Sequence, residues 1–258
     1  MAIRSSAQII NIRSEVFLLS AWYNFAELAR TTCNEATVTI ITREREDYLK
    51  TIYKLQQEES PVRTNSIAHS LGVEPASVTG VIKRLAELGY LEHQPYKGVV
   101  LTRAGELVAL EVIRHHRLIE LYLIQSLGYS WDEVHNEAER LEHAVSPLFI
   151  ERIEAVLGYP KIDPHGAPIP TTDGHIAPRK GTRLSELQVG QHGNVARVSD
   201  DDPGLLRYLA SLEIRPGAAI TVRTIEPYGG PIGIEVDGAE RSVGPQAAAQ
   251  VFVEIKPR

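Results

Sequence analysis

The chain has one cysteine and one methionine in 258 residues, and aromatic residues make up only 6% of it. The single thiol, Cys33, cannot close an internal disulfide, and such cysteine poverty suits the reducing cytoplasm. Apolar runs fall short of the roughly twenty residues that a membrane-spanning helix needs. The most apolar window, "VFLLSAWYNFAELA", is broken by Asn24 and Glu27 and offers no small-residue cleavage site behind a basic start. Neither a membrane partner nor a secretory signal is expected. Enzyme signatures are missing as well: there is no H-E-x-x-H, no nucleophile elbow and no phosphate-cradling loop. An enzyme is therefore not expected. The net charge of −6 does not advertise a nucleic-acid binder, but DNA affinity depends on where Lys and Arg sit rather than on their sum.

What is present begins at Thr42. Residues 1–41 read as an N-terminal extension with at most one short helix around Glu15 to Ala29, and an over-extended gene start would account for them. "REREDYLKTIYKLQQEE" then repeats apolar residues at helical spacing. In "VRTNSIAHSLG", Thr64 is the expected cap and Gly72 the stop. "VEPASVTGVIKRLAELG" places Pro75 in a first helical turn and Val78, Val81, Ile82, Leu85 and Leu88 on one stripe. "YLEHQPYKGVVLT" reads as two short strands around a Pro95–Gly98 turn. Helix, helix, turn, helix and hairpin make a winged helix-turn-helix over residues 42–104.

Residues 105–160 read as a helical domain. Its first helix, capped by Thr102, has an apolar surface too wide for one buried stripe, which suggests a partner chain. Ser130 and Glu133 form a capping-box pattern, and Ser146–Pro147 restarts a helix ended by Gly158. Residues 161–181, dense in Pro and Gly, read as a linker. Residues 182–258 read as a small β-barrel of strand-like runs interrupted by the helix "PGLLRYLASLE". The fold class is mainly α with a C-terminal small β-barrel.

The segment "HNEAERLEH" collects two histidines and three acids in nine residues. On a helix, His135, Glu139, Glu142 and His143 fall within a sector of about 100°. The preceding helix adds His116 and Glu120, four apart and on one face. Such a face is commonly only a solvated, charge-laced surface. Here two helices carry the pattern, and like-charged carboxylates repel unless a cation sits between them. Oxygen and imidazole donors suit Mn²⁺, Fe²⁺, Co²⁺ or Zn²⁺.

Winged helix, metal-rich helices, Pro-rich linker and small barrel, in this order, resemble the diphtheria toxin repressor family of metal-dependent transcription regulators. The resemblance runs from about Thr42 onward and is strongest in "REDYLKTIYKL", "RHHRLIELYL", "WDEVHNEAERLEHAVS" and "DPHGAPIP". It implies a helical dimerisation domain, an SH3-like C-terminal domain and two metal sites. The effector site matches Asp47, Glu139, Glu142 and His143. Iron-responding members carry Met and Cys at the first two of these positions, whereas Asp47 and Glu139 are as in the manganese transport regulators. Hard oxygen ligands favour Mn²⁺, with Fe²⁺ as the alternative and other divalent transition metals able to substitute in vitro. The second site matches His116, Glu120 and His135. Iron-type members add barrel ligands, for which Asp200, Asp201 and Asp202 are the nearest candidates. One departure is Lys50, where the manganese regulators carry a carboxylate.

The resemblance further implies a homodimer on palindromic operator DNA, controlling metal-homeostasis genes, with a metal that bridges the DNA-reading domain and the dimer scaffold. On the recognition helix, Ala76, Gly80 and Lys83 face away from the core, flanked by Ser77, Thr79 and Arg84. Small residues allow close approach to bases, and Lys83 and Arg84 suit phosphates. Tyr96 and Lys97 at the wing tip are candidate backbone contacts. The competing readings are a winged-helix regulator with an organic or redox effector, and a metalloenzyme.

Overall fold

The computed structural model describes residues 41–94 and 96–256. The extension with its expected helix at Glu15 to Ala29, and Cys33, lie outside the described residues. The described residues form two compact units divided between Ala109 and Leu110.

The first unit holds α1 (Arg43–Gln56), α2 (Thr64–Leu71), α3 (Pro75–Glu87), β1 (Leu91–Gln94), β2 (Gly98–Leu101) and the start of α4 (Arg103–Leu127). The periodic stripes supply its core: Leu49, Ile52, Ile67, Val78 and Leu85 are essentially inaccessible. Thr64 is not a cap as expected but the first residue of α2, behind Arg63 in extended conformation. The physical reason lies one residue earlier. Val62 exchanges both backbone hydrogen bonds with Val99, each 2.9 Å, so the chain is held extended up to the helix start. Pro75 opens α3, and Gly72 ends α2 in the left-handed conformation, both as the sequence suggests. The hairpin pairs Leu91 with Leu101 and Gln94 with Gly98. The Thr102 hydroxyl accepts from the Gly105 amide at 3.3 Å, capping α4. A Cβ on Gly105 would run into the Tyr90 carbonyl oxygen, so glycine is what lets this helix start so close to the strand.

The second unit contains the rest of α4, α5 (Val134–Leu141) and α6 (Pro147–Val156) around Leu118, Ile119, Val134, Ala138, Ile150 and Ile153. Ser146 caps α6 by accepting from the Phe149 amide. Two local expectations need correction. Ser130 and Glu133 do bond to each other, but the helix begins only at Val134. Trp131–Glu133 form a turn instead, from which the Trp131 indole donates to the Pro164 carbonyl at 3.1 Å. Nor does "HNEAERLEH" lie wholly on a helix. Glu142 is the C-cap of α5 and His143 follows in a turn, with the Ala144 and Val145 amides both closing onto the Leu141 carbonyl. Pro147 requires extended backbone just before it, which Ser146 adopts, so the helix must end here.

The Pro- and Gly-rich segment at 161–181 is packed over its first half rather than spanning solvent as a spacer. Arg114 and Arg117 donate to the Pro170 and Pro168 carbonyls, and Asp163, His165 and Ile169 are buried.

Beyond it come β3 (Thr182–Arg183), β4 (His192–Val198), α7 (Pro203–Ser211), β5 (Ala219–Ile225), β6 (Ile232–Val236), β7 (Ala239–Val243), α8 (Pro245–Ala248) and β8 (Val251–Ile255). The strands form one antiparallel six-stranded sheet in the order β3-β8-β4-β5-β6-β7. It is an open sheet with β3 and β7 at its ends, not a fully closed barrel, and it fits the SH3-like class. Ile232, Ile234 and Val236 alternate inward, and Leu206 and Leu209 of α7 join the same core. No helix of the described residues is long and apolar enough to cross a membrane.

Candidate metal centre and DNA-reading face

His116 and Glu120 project from one face of α4 at the i, i+4 spacing that aligns side chains on a helix. The α5 turn brings His135 to them, and the loop after β4 supplies Asp200. One donor atom from each of these four residues lies within 4.8 Å of every other. His116 Nε2 stands 3.0 Å from Glu120 Oε1 and 3.1 Å from His135 Nδ1. The three acids of the triplet are placed differently. Asp200 reaches the histidines, while Asp202 caps α7 by accepting from the Gly204 amide at 2.7 Å. Asp201 is exposed.

A second group adjoins the first. His116, Glu139 and Glu142 offer donor atoms within the same 4.8 Å spread. His116 Nδ1 is 2.6 Å from Glu142 Oε2, and His143 Nε2 is 3.1 Å from Glu142 Oε1. The second unit thus draws together six of the residues singled out in the sequence: His116, Glu120, His135, Glu139, Glu142 and His143. Asp47 lies half-buried on α1, in the first unit, and Lys50 is buried one turn further along.

Sequence reasoning gave no role to Asp163 and His165 of "DPHG", although that tetrapeptide was part of the family resemblance. Both are fully or almost fully buried. Burial alone would raise the Glu120 carboxyl, but His116, His135 and His165 around it outweigh that and hold it well below the usual carboxylate range. Burial would lower His165, yet the Glu120 carboxylate facing it pushes it up to about 9. Burial lifts Asp163 to about 6 against the pull of Arg117.

The donors fit a divalent ion. Metal–ligand bonds of about 2.1 Å keep ligands about 3–4 Å apart, close to the spacings found here. All the donors are oxygen or imidazole nitrogen. Both ring nitrogens of His116 face carboxylates, and Glu120 Oε2, fully buried, has no hydrogen-bond partner. A buried polar atom left in that state costs free energy unless another charge or donor compensates it.

On α3, Val78, Ile82 and Leu85 are buried, while Ala76, Ser77, Thr79, Gly80, Lys83 and Arg84 are all exposed. A Cβ on Gly80 would meet nothing, so packing does not demand this glycine, and the helix surface there is low and open. Arg84 pairs with Glu87 at 3.0 Å on the surface. Tyr96 and Lys97 protrude at the wing tip. A groove beside them is lined by Arg63, Thr64, Asn65 and His93, none of which sequence reasoning had selected. Their sequence, a basic residue and two small polar ones at a helix start, carries the pattern of a cap.

Three family models match in succession. "Iron dependent repressor, N-terminal DNA binding domain" covers residues 41–99, "Iron dependent repressor, metal binding and dimerisation domain" covers 102–171, and "FeoA domain" covers 182–255. The iron-dependent repressor IdeR of Mycobacterium tuberculosis is 33% identical over 217 residues, which is 79% of this chain and 93% of that protein. The chain belongs to the diphtheria toxin repressor family. Members of this family are metal-dependent transcriptional repressors. Among solved structures, a manganese-dependent transcriptional repressor in complex with manganese matches with a TM-score of 0.77 and 40% identity, over 82% of this chain and 100% of that one. The manganese regulator SloR matches with a TM-score of 0.70 and 33% identity, over 84% of this chain and 100% of the other. The MntR regulator of Bacillus subtilis is 34% identical over 118 residues, 46% of this chain and 82% of its own.

Proposed function

We propose that this family member is a Mn²⁺-activated repressor of metal-homeostasis genes, acting in the cytoplasm as a homodimer on palindromic operator DNA and catalysing no reaction. The observation that carries the reading is the donor set: His116, Glu120, His135 and Asp200 beside Glu139, Glu142 and His143, with no sulfur among them. A carboxylate at Glu139 favours the harder Mn²⁺ over ions that prefer thiolate. The similarity to manganese-dependent repressors supports the same choice.

In this proposal His116, Glu120, His135 and Asp200 hold one ion, and Glu139, Glu142 and His143 hold the effector ion with Asp47 as its ligand from the DNA-reading half. The bound cations would cancel the mutual repulsion of the carboxylates. The resulting bias toward a DNA-competent state must be large, since moving a two-state equilibrium from 1:99 to 99:1 takes about 5.5 kcal/mol. By reciprocity, operator DNA tightens metal binding by the same factor. Ala76, Ser77, Thr79 and Gly80 would face bases, and Lys83, Arg84, Tyr96 and Lys97 the backbone, joined by Arg63 and Thr64 of the neighbouring groove.

Operator capture by fluorescence anisotropy, with apo protein against protein loaded anaerobically with Mn²⁺ or Fe²⁺, tests the reading. Mn²⁺-dependent capture supports it. Capture with Fe²⁺ alone would move the protein to the iron-responsive branch, and metal-independent capture would leave an organic or redox effector.

A further inference from the structure

We propose that His165 is a positioning residue for the cluster of His116, Glu120, His135 and Asp200, and that the turn carrying it sets two of those four ligands at once. The inference rests on the metal-binding reading of that cluster.

Glu120 is fully buried and divides its two oxygens between two environments. Oε1 faces the donors of the cluster, 3.0 Å from His116 Nε2 and 3.4 Å from His135 Nδ1. Oε2 points the other way, 3.7 Å from His165 Nδ1, and both of these buried atoms lack a hydrogen-bond partner. The His165 ring cannot turn aside. Its Nε2 lies 3.1 Å from the Trp131 carbonyl oxygen, which can only accept, so Nε2 carries a hydrogen and Nδ1 is the nitrogen aimed at Glu120. The Trp131 ring covers it at a centroid distance of 5.2 Å and a tilt of 31°. The His165 ring thus packs against the outer edge of the Glu120 carboxylate and limits its rotation, which leaves Oε1 for the cluster. Ligating groups are commonly oriented by such outer contacts.

The backbone of the same turn reaches the fourth ligand. The Asp163 carboxylate accepts from the His165 and Ala167 amides at 2.8 and 2.9 Å, and its other oxygen pairs with Arg117, the residue after His116. The His165 carbonyl accepts from the Val198 amide at 2.9 Å, two residues before Asp200. Gly166, at φ 89°, makes this approach sterically feasible, because a Cβ there would strike the Ala196 carbonyl oxygen. A third metal position among Glu120, Asp163 and His165 is disfavoured, since Arg117 already supplies the cation beside Asp163.

Mn²⁺ bound per chain, measured by electron paramagnetic resonance on the full-length protein, provides the test. His165→Gln keeps a donor for the Trp131 carbonyl but leaves the Nδ1 position beside Glu120 empty, and it should weaken the cluster's ion about tenfold or more. His165→Asn, whose amide falls near Nδ1, should bind close to wild type. Glu120→Gln should lose that ion outright. If His165→Gln binds as wild type, or His165→Asn loses as much as His165→Gln, while Glu120→Gln loses the ion, the positioning role is overturned and the metal site stands. If Glu120→Gln itself binds normally, the metal reading of the cluster falls and the proposal falls with it. Should His165→Gln fail to fold, Gly166→Ala carries the same test. It displaces the turn with every ligand intact, so weakened binding supports the proposal and unchanged binding overturns it.

Discussion

His116 Nδ1 and Glu142 Oε2 stand 2.6 Å apart, although the family resemblance assigns these residues to two different ligand groups. The other ring nitrogen of His116 is 3.0 Å from Glu120, so one imidazole lies between the carboxylates of both groups. His116→Ala should therefore disturb both ions, lowering the occupancy of one and the affinity of the other in a Mn²⁺ titration. Loss of one ion with the second unaffected would mean the two groups act independently.

Loading should stabilise the fold by mass action. At free Mn²⁺ about 100 times Kd the gain is about 2.7 kcal/mol, enough to raise Tm by several degrees. Thermal melts of apo protein against loaded protein check this, and superimposable curves would remove the metal site. Glu139→Ala and Asp47→Ala should fold and dimerise yet lose Mn²⁺-dependent operator binding. Undiminished binding in either would count against that residue as a ligand.

Replacing the Glu139 carboxylate by a thiolate should move the metal preference. Glu139→Cys is expected to respond to Fe²⁺ or Co²⁺ at lower concentration than to Mn²⁺. Anaerobic anisotropy titrations with each ion give the comparison, and identical response curves for wild type and variant would refute the role of donor softness.

Lys83 is exposed on α3 and suited to a phosphate contact. Lys83→Ala should weaken binding about equally for specific and unrelated DNA, and reduce the slope of log K against log salt by about 1. A loss confined to one base pair of the operator would make Lys83 a base reader instead.

Much of this was legible in the residues. The stripes of α1 to α3 and the wing signals sufficed for the winged helix, because strong periodicity and Gly or Pro punctuation are local properties. The i, i+4 pair His116 and Glu120 was legible for the same reason. Three things were not. The end of α5 before Glu142 depends on the turn demanded by Pro147. The placement of Asp200, rather than its two neighbours, among the histidines depends on how β4 lies against the His165 turn. The burial of Asp163 and His165 reflects their contacts with Arg117 of α4 and with the Trp131 carbonyl, partners that no local pattern marks. The first is a local turn that helical spacing by itself does not reveal, and the other two are set by contacts distant in sequence, which composition and spacing do not encode.

Asp200, Asp201 and Asp202 have a consequence for anyone altering this chain. Three identical letters in a row stand in three different settings: one lies among the donors around the histidines, one is exposed in the loop, and one seals the first turn of a helix. Neutralising them together would confound the loss of a candidate ligand with an unravelled helix end, so only single replacements, one acid at a time, can separate the two.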